Sequence, residues 1–246
     1  MGAVIILHGW TYSTEKWNPF ANLLKQKGTN STILKIPGLT EKIDKVWRID
    51  DYVEWLRQKI ESQKFNNLTM KQFNNRLVLI GHSNGGRIAL NFAIKYPQRI
   101  DRLILIDSAG AYHNDLAIRA KRFLFKNIAK IGKKLSSSEK LKELLYNVIG
   151  KTDYKNANPY MRQTMINLLG SDKMLNFDKI IVPTLIIWGE NDKVTPLRDA
   201  KIMHALIPNS KLYIVKGAKH SPQFTNAEEV TEIITKYLKT QNAKVI

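Results

Sequence analysis

Residues 81–85 read Gly-His-Ser-Asn-Gly and stand between an apolar run and a stretch with helical periodicity. The run at residues 77–80 is typical of a buried strand, and residues 87–96 are typical of a helix. A buried strand that turns sharply into a helix forces the turning residue toward strained backbone angles, so its neighbours must be small. Gly81 and Gly85 meet that requirement. The pattern therefore predicts a strand, a tight turn and a helix, with the Ser83 hydroxyl held clear of a sheet.

Short apolar runs alternate with amphipathic segments along the rest of the chain. Strands are predicted at residues 3–7, 32–36, 77–80, 103–106, 184–188 and 211–215, and helices at 14–26, 49–62, 87–96, 196–206 and 226–238. Several strands are apolar on both faces, as expected when helices cover both sides of a parallel sheet. The predicted fold is α/β, with a mostly parallel open sheet of about six strands. Ligands of such sheets bind beyond the carboxyl ends of the strands.

Composition excludes several classes of protein. A chain of 246 residues without cysteine has no disulfides and no cysteine-bound metal, and no run approaches the ~20 apolar residues of a membrane span. The first residues lack the basic region and cleavage site of a signal peptide, which favours a cytoplasmic protein. The net charge of +18 comes from basic residues spread along the whole chain. No nucleic-acid-binding motif accompanies them, so we expect no nucleic-acid partner.

Polar residues follow four of the predicted strands and offer a nucleophile, an acid and a base. A serine hydroxyl attacks well only when an imidazole accepts its proton, and the imidazole needs a carboxylate to fix its tautomer. In chain order these are Ser83, Asp192 and His220. Asp107, at the end of the fourth strand, is the rival for the acid, and Glu190 is a more distant one.

These strand ends resemble the α/β-hydrolase superfamily, in which serine, acid and histidine follow in that order. The similarity covers nearly the whole chain and also rests on the His-Gly-Trp sequence at residues 8–10 and the Pro-Gly pair at residues 37–38. Within the superfamily the chain looks most like small capped esterases and carbon–carbon bond hydrolases of the Gly-His-Ser-x-Gly-Gly type. This resemblance implies catalysis without a cofactor, and the five histidines suggest no metal cluster.

The resemblance also assigns supporting residues around Ser83. The backbone N–H groups of Trp10 and Asn84 occupy the positions that stabilise an oxyanion in the superfamily. His8 and Gly9 would organise the loop that carries Trp10. The remaining histidines, His82, His113 and His204, are interpreted as ordinary residues without a catalytic role.

The interval at residues 111–181 is too long for a simple crossover between two strands, so we expect a helical cap there. The hydrolase core would then comprise residues 1–110 and 182–246. Residues 116–135 carry seven basic side chains and no acidic one, which favours a solvated cap helix. An alternative is weak attraction to anionic lipid or to an acidic carrier protein. The candidates for lining the substrate pocket are Tyr146, Tyr160, Met161 and Met165.

The sequence therefore predicts a serine carboxylesterase that cleaves small to medium acyl esters through an acyl-enzyme intermediate. Two other enzymatic activities stay open: carbon–carbon bond hydrolysis of the meta-cleavage-product type, and thioester or methyl ester hydrolysis on carrier-bound acyl groups. A hydrolase-fold protein that only binds a ligand is the non-enzymatic alternative. The expected partner is a small-molecule ester, and the sequence leaves the oligomeric state open.

Overall fold

The computed structural model describes residues 3–11, 13–62, 76–112 and 159–240 of the chain. Strands and helices alternate along these residues. The strands are β1 (Val4–Leu7), β2 (Ser31–Leu34), β3 (Leu77–His82), β4 (Ile100–Ile106), β5 (Thr184–Gly189) and β6 (Ser210–Val215). The α-helices are α1 (Asn18–Gln26), α2 (Ile49–Ser62), α3 (Asn84–Lys95), α4 (Pro159–Ser171), α5 (Leu197–Leu206), α6 (Pro222–Thr225) and α7 (Ala227–Lys239).

The six strands form one sheet in the order β2-β1-β3-β4-β5-β6, and all five neighbouring pairs are parallel. The predicted six-stranded α/β sheet is confirmed. Because β2 lies on one side of β1 and β3 on the other, the strand order reverses between β1 and β3. In open α/β sheets a crevice forms at such a reversal, beyond the carboxyl ends of the strands. The fold therefore places the ends of β1 and β3 beside the expected site.

Two hydrophobic cores cover the two faces of the sheet, because alternate residues of each strand point to opposite faces. In β1, Ile5 and Leu7 belong to one core, and Val4 and Ile6 belong to the other. Helices α2, α3 and α5 contribute buried side chains to the first core, and α1 and α7 contribute to the second. This burial on both faces explains why the central strands are apolar throughout.

Helix α3 begins at Asn84, three residues before the start that the apolar periodicity predicts. Its first turn contains Gly85 and Gly86, which carry no apolar pattern, so the periodicity could not show where the helix starts. The short helix α6 was not predicted either; it begins at Pro222, two residues after His220. Both differences place helical backbone closer to the strand ends than expected.

Residues 113–158, the larger part of the cap predicted at residues 111–181, lie outside the described residues, so the boundaries of the cap stay a prediction. Helix α4, which follows that interval, packs against α2. The Thr164 hydroxyl accepts the N–H of Trp47 (2.9 Å), and the Asn167 amide donates to the carbonyl of Trp47 (3.1 Å). The chain after the insertion is thus fastened to the loop before α2.

Within the described residues, no helix is both long and apolar enough to cross a membrane. The cytoplasmic location stays a prediction.

Candidate active site

Ser83 occupies a strained turn between β3 and α3. Its φ of 51° and ψ of −121° lie outside the regions that ordinary side chains favour. Its N–H donates to the carbonyl of Ile106 (3.2 Å), and its own carbonyl accepts the N–H groups of Gly86 (3.0 Å) and Ala109 (2.9 Å). Strain of this kind persists only where the surrounding structure over-determines the backbone, and it clusters at functional sites.

The glycines around Ser83 are required by close approach of other backbone. A Cβ on Gly81 would lie 2.6 Å from the Cα of Gly86, and a Cβ on Gly85 would lie 2.6 Å from the carbonyl oxygen of His8. A Cβ on Gly9 would come within 2.9 Å of the Cβ of Ser83. The ends of β1 and β3 are therefore in direct contact, as expected for neighbouring strands of one sheet.

His220 and Asp192 are joined by a hydrogen bond, with 2.8 Å between Nδ1 and Oδ2. They lie 28 residues apart in the chain, on the loops that follow β6 and β5. Because Nδ1 donates to the carboxylate, Nε2 of the neutral ring is left as a proton acceptor. This is the relation that a base and its orienting acid need.

The carboxylate of Asp192 is almost saturated with donors. Oδ1 accepts the backbone N–H groups of Val194 (2.7 Å) and Thr195 (3.1 Å), and Oδ2 lies 2.7 Å from the Thr195 hydroxyl in addition to His220. Burial opposes ionisation of Asp192, but these hydrogen bonds outweigh it and lower the pKa of the carboxyl below its usual value. Asp192 is therefore a carboxylate near neutral pH.

Asp107, the rival for the acid, has different partners. Its Oδ1 accepts the N–H of Gly189 (2.8 Å), its Oδ2 accepts the N–H of Ser221 (2.7 Å), and Oδ2 lies 3.9 Å from Nδ1 of His220. Burial raises the pKa of Asp107 to about 7, against the lowering effect of the two N–H donors. The hydrogen bond of His220 goes to Asp192 instead.

His82 lies inside the site, which the sequence analysis did not anticipate. Its ring packs against the ring of His220 in a tilted arrangement, with 4.9 Å between centroids and 41° between the planes, and its Nε2 lies 3.1 Å from the hydroxyl of Ser221. The ring of Trp17 packs edge-on against the ring of His82. Burial, with added repulsion from His220, places the pKa of His82 well below its usual value, so this ring is neutral at neutral pH. His220 is therefore in contact with an uncharged ring on this side.

The loop after β1 is held by His8. The buried ring donates from Nδ1 to the carbonyl of Gly9 (2.7 Å), and its Nε2 lies 3.2 Å from the Thr40 hydroxyl. Burial lowers the pKa of His8, and the hydrogen bond to Gly9 offsets only part of this effect. The ring is therefore neutral at neutral pH. Trp10 lies in this loop and packs, partly buried, against the first core. Asn84, as the first residue of α3, has a backbone N–H outside the intrahelical ladder.

A buried ion pair between Arg87 and Asp172 contacts the side chain of Asn84. Nε and Nη2 of Arg87 donate to the two carboxylate oxygens of Asp172 (2.6 and 2.9 Å), and Nη1 donates to the side-chain oxygen of Asn84 (2.6 Å). Arg87 and Asp172 are both almost fully buried. The pair ties the first turn of α3 to the residues that follow α4.

The predicted pocket residues fall into three groups. Met161 and Met165 are buried within the first core, and Met161 lies close to Gly38. Tyr160 is 47% exposed. Tyr146 lies outside the described residues, so the lining of the acyl pocket stays a prediction.

Three potential metal ligands, one of them on His220, come close together in the site. One ring nitrogen each of His82 and His220 and a carboxylate oxygen of Asp107 lie within 4.8 Å of one another. Both oxygens of Asp107 already accept backbone N–H groups, and Nδ1 of His220 donates to Asp192. These hydrogen bonds account for the close approach of the three side chains.

Comparison with known proteins identifies the family. The family model described as Hydrolase_4, serine aminopeptidase S33, matches residues 1–225. The chain belongs to the Hydrolase_4 family. This Hydrolase_4 protein is therefore a serine hydrolase of the α/β-hydrolase fold, as the strand-end residues predict.

Individual relatives of this Hydrolase_4 protein are distant. It is 24% identical over 247 residues to a pimeloyl-[acyl-carrier protein] methyl ester esterase of Legionella pneumophila (strain Paris), covering 96% of this chain and 95% of that protein. Among solved structures it is similar to MenH from S. aureus, with a TM-score of 0.70, 21% identity, and coverage of 97% of this chain and 93% of that one. A thermophilic esterase from Thermogutta terrifontis has a TM-score of 0.67 and 21% identity, with coverage of 97% and 90%. These structures establish the shared fold.

Proposed function

We propose that this protein is a serine carboxylesterase that cleaves small to medium acyl esters through an acyl-enzyme on Ser83. The observation that carries the proposal is the 2.8 Å hydrogen bond between His220 and Asp192, at the same sheet edge as the strained turn of Ser83. An imidazole whose Nδ1 is held by a carboxylate presents Nε2 to a hydroxyl, which is the arrangement that activates a serine.

The proposed reaction has two halves. Oγ of Ser83 forms a bond to the acyl carbon while its proton passes to Nε2 of His220 and the carbonyl electron pair moves to oxygen. The N–H groups of Trp10 and Asn84 donate to that oxyanion. When the carbonyl reforms, the bond to the alcohol breaks and the alcohol takes the proton from His220. Water then attacks the acyl-serine by the same route and releases the acid.

Hydrolysis of a nitrophenyl ester series, from acetate to dodecanoate, tests the proposal. We expect a maximum at a short or medium chain, and Ser83→Ala should lose at least about a thousandfold in kcat/KM. Ser210→Ala is the matched control, because that hydroxyl lies at the start of β6 and bonds to the carbonyls of His204 and Ile207. Turnover by Ser83→Ala within tenfold of the parent would overturn the proposal.

A second candidate is methyl ester hydrolysis on an acyl group bound to an acidic carrier protein. It is favoured by the seven basic residues of segment 116–135 and by the similarity to the Legionella methyl ester esterase. Attraction between a basic surface and an acidic partner weakens as salt screens the charges. We expect kcat/KM for a carrier-bound methyl ester to fall steeply between 50 and 300 mM NaCl, at concentrations where a nitrophenyl ester is unaffected. Equal salt dependence for both substrates contradicts this candidate.

A further inference from the structure

Asp107 follows β4 and is completely buried, yet it is not the hydrogen-bond partner of His220. Its backbone has a φ of 40°, a left-handed conformation that a residue other than glycine adopts at an energetic cost. Buried carboxylates require donors, and this one receives an N–H on each oxygen. The identity of those two donors indicates what Asp107 does.

The two N–H groups belong to the two loops that carry the acid and the base. Gly189 is the last residue of β5, three residues before Asp192, and Ser221 directly follows His220. One carboxylate thus bridges the beginning of the acid loop and the residue beside the base. The Ser221 backbone is itself in the left-handed region, with φ of 93°, so its position depends on such contacts.

A third contact strengthens the bridge. The Thr195 hydroxyl lies 3.1 Å from the carbonyl oxygen of Asp107 and 2.7 Å from Oδ2 of Asp192. The main chain and the side chain of Asp107 therefore both contact the elements that hold Asp192. Fixing the base relative to the acid matters because a misplacement of about 1 Å in an active site is able to lower the rate by about a hundredfold.

The carboxyl group of Asp107 also faces His220, because its Oδ2 lies 3.9 Å from Nδ1 of the ring. Among the described residues, the other charged or titratable groups around that ring are Asp192, which accepts the Nδ1 hydrogen bond, and the neutral His82, whose tilted ring packs against it. Lys219 precedes His220 on an exposed part of the loop. Asp107 is therefore a second carboxyl group beside the imidazole, and it becomes negative as the pH rises through about 7.

We propose that Asp107 is a positioning residue for His220: its carboxyl group ties the acid loop to the base loop and, when ionised, places a second negative charge beside the imidazole. The inference rests on the proposed esterase function. Asp107 acts through His220 and Asp192, and it transfers no proton to the substrate.

The test compares Asp107→Asn with the parent protein in nitrophenyl butyrate hydrolysis between pH 5 and 9. The Asn oxygen accepts one of the two N–H groups, but the NH₂ group of Asn faces the other N–H. The hydrogen bond to one of the two loops is therefore lost. We expect kcat to fall at least about tenfold while KM changes less than about twofold, because the substrate pocket is untouched. The fall in kcat should be larger above about pH 7, where Asp107 of the parent is ionised and stabilises the imidazolium that forms during the reaction, than below it.

Two further variants make the result decisive. Ile234→Ala in α7 removes a fully buried side chain from the second core, so it lowers stability without changing a residue of the site. If Asp107→Asn resembles Ile234→Ala, with a lower melting temperature but an unchanged kcat and pH profile, the proposal is wrong. Ser83→Ala, measured in parallel, separates the two hypotheses: normal turnover in that variant would refute the esterase function instead.

Asp107→Ser serves if the Asn variant yields no folded protein, because its smaller side chain leaves no NH₂ group opposed to a backbone N–H. The same loss of kcat is expected. If neither variant folds, Asp107 is required for the fold as a whole, and a role confined to positioning is refuted.

Discussion

Nδ1 of His220 lies 2.8 Å from Oδ2 of Asp192, although the two residues lie on separate loops at the carboxyl edge of the sheet. The same carboxylate accepts two backbone N–H groups and lies within hydrogen-bonding distance of the Thr195 hydroxyl. Its orientation is therefore fixed independently of the histidine. An acid held in this way determines which nitrogen of the imidazole carries the proton.

Asp192→Asn tests this role of the acid. An Asn amide retains the shape of the carboxylate but loses its charge, and it favours the wrong tautomer of His220. We expect kcat for nitrophenyl butyrate to fall by roughly 1,000- to 10,000-fold with the fold preserved. Steady-state kinetics and circular dichroism of the variant measure both effects. A kcat within tenfold of the parent would indicate that His220 is oriented by another group.

Thr195→Val removes only the hydroxyl that lies 2.7 Å from Oδ2 of Asp192. The hydrogen bonds of Asp192 lower its pKa in the folded chain, so the ionised form contributes stability that is present above about pH 4 and is lost as the pH falls through the folded pKa. We expect the variant to lose about 1.5–3 kcal/mol of unfolding free energy at pH 7. Urea unfolding at pH 7 and pH 3 should show a smaller loss at the lower pH; an equal loss contradicts this explanation.

Arg87→Met tests the buried ion pair behind Asn84. Removing the guanidinium leaves Asp172 buried without its bidentate partner, which should reduce the free energy of unfolding by about 3–5 kcal/mol. The double variant Arg87→Met with Asp172→Leu removes both charges and should recover most of that loss. Urea unfolding of the parent, the two single variants and the double variant measures the coupling. Additive losses would show that the two residues do not interact.

The buried Asp107 carboxyl predicts a pH-dependent contribution to stability. Its pKa is about 7 in the folded chain, whereas an unfolded aspartate titrates near ~4. The fold therefore favours the neutral form, so this contribution is full below about pH 4 and is lost as the pH rises to about 7. Because Asn does not titrate, the unfolding free energy of the parent relative to Asp107→Asn should fall over that window. A relative stability that is constant or rises with pH between 4.5 and 7.5 contradicts it.

The central features of the fold could be predicted because their signals are local. Apolar runs identify the six strands, and the spacing of Gly81 and Gly85 about Ser83 predicts the turn. The order of polar residues after the strands was enough to propose Asp192 and His220, which the structure joins by a hydrogen bond.

The remaining contacts are long-range, and no local pattern specifies them. Arg87 and Asp172 are 85 residues apart, and Asp107 contacts Ser221 across 114 residues. Such pairs depend on how the strands and loops pack in three dimensions. The contact between the rings of His82 and His220 was missed for the same reason, although the position of His82 next to Ser83 in the chain was a usable signal.

The central claim is that the Ser83 hydroxyl is activated by His220. Reaction with a fluorophosphonate probe, followed by mass spectrometry of the tryptic peptide at residues 77–87, tests it most directly, because Ser83 is the one serine in that peptide. We expect modification at Ser83 in the parent protein and a rate reduced at least about a hundredfold in His220→Ala. Modification confined to another serine, or an equal rate in His220→Ala, would contradict the claim.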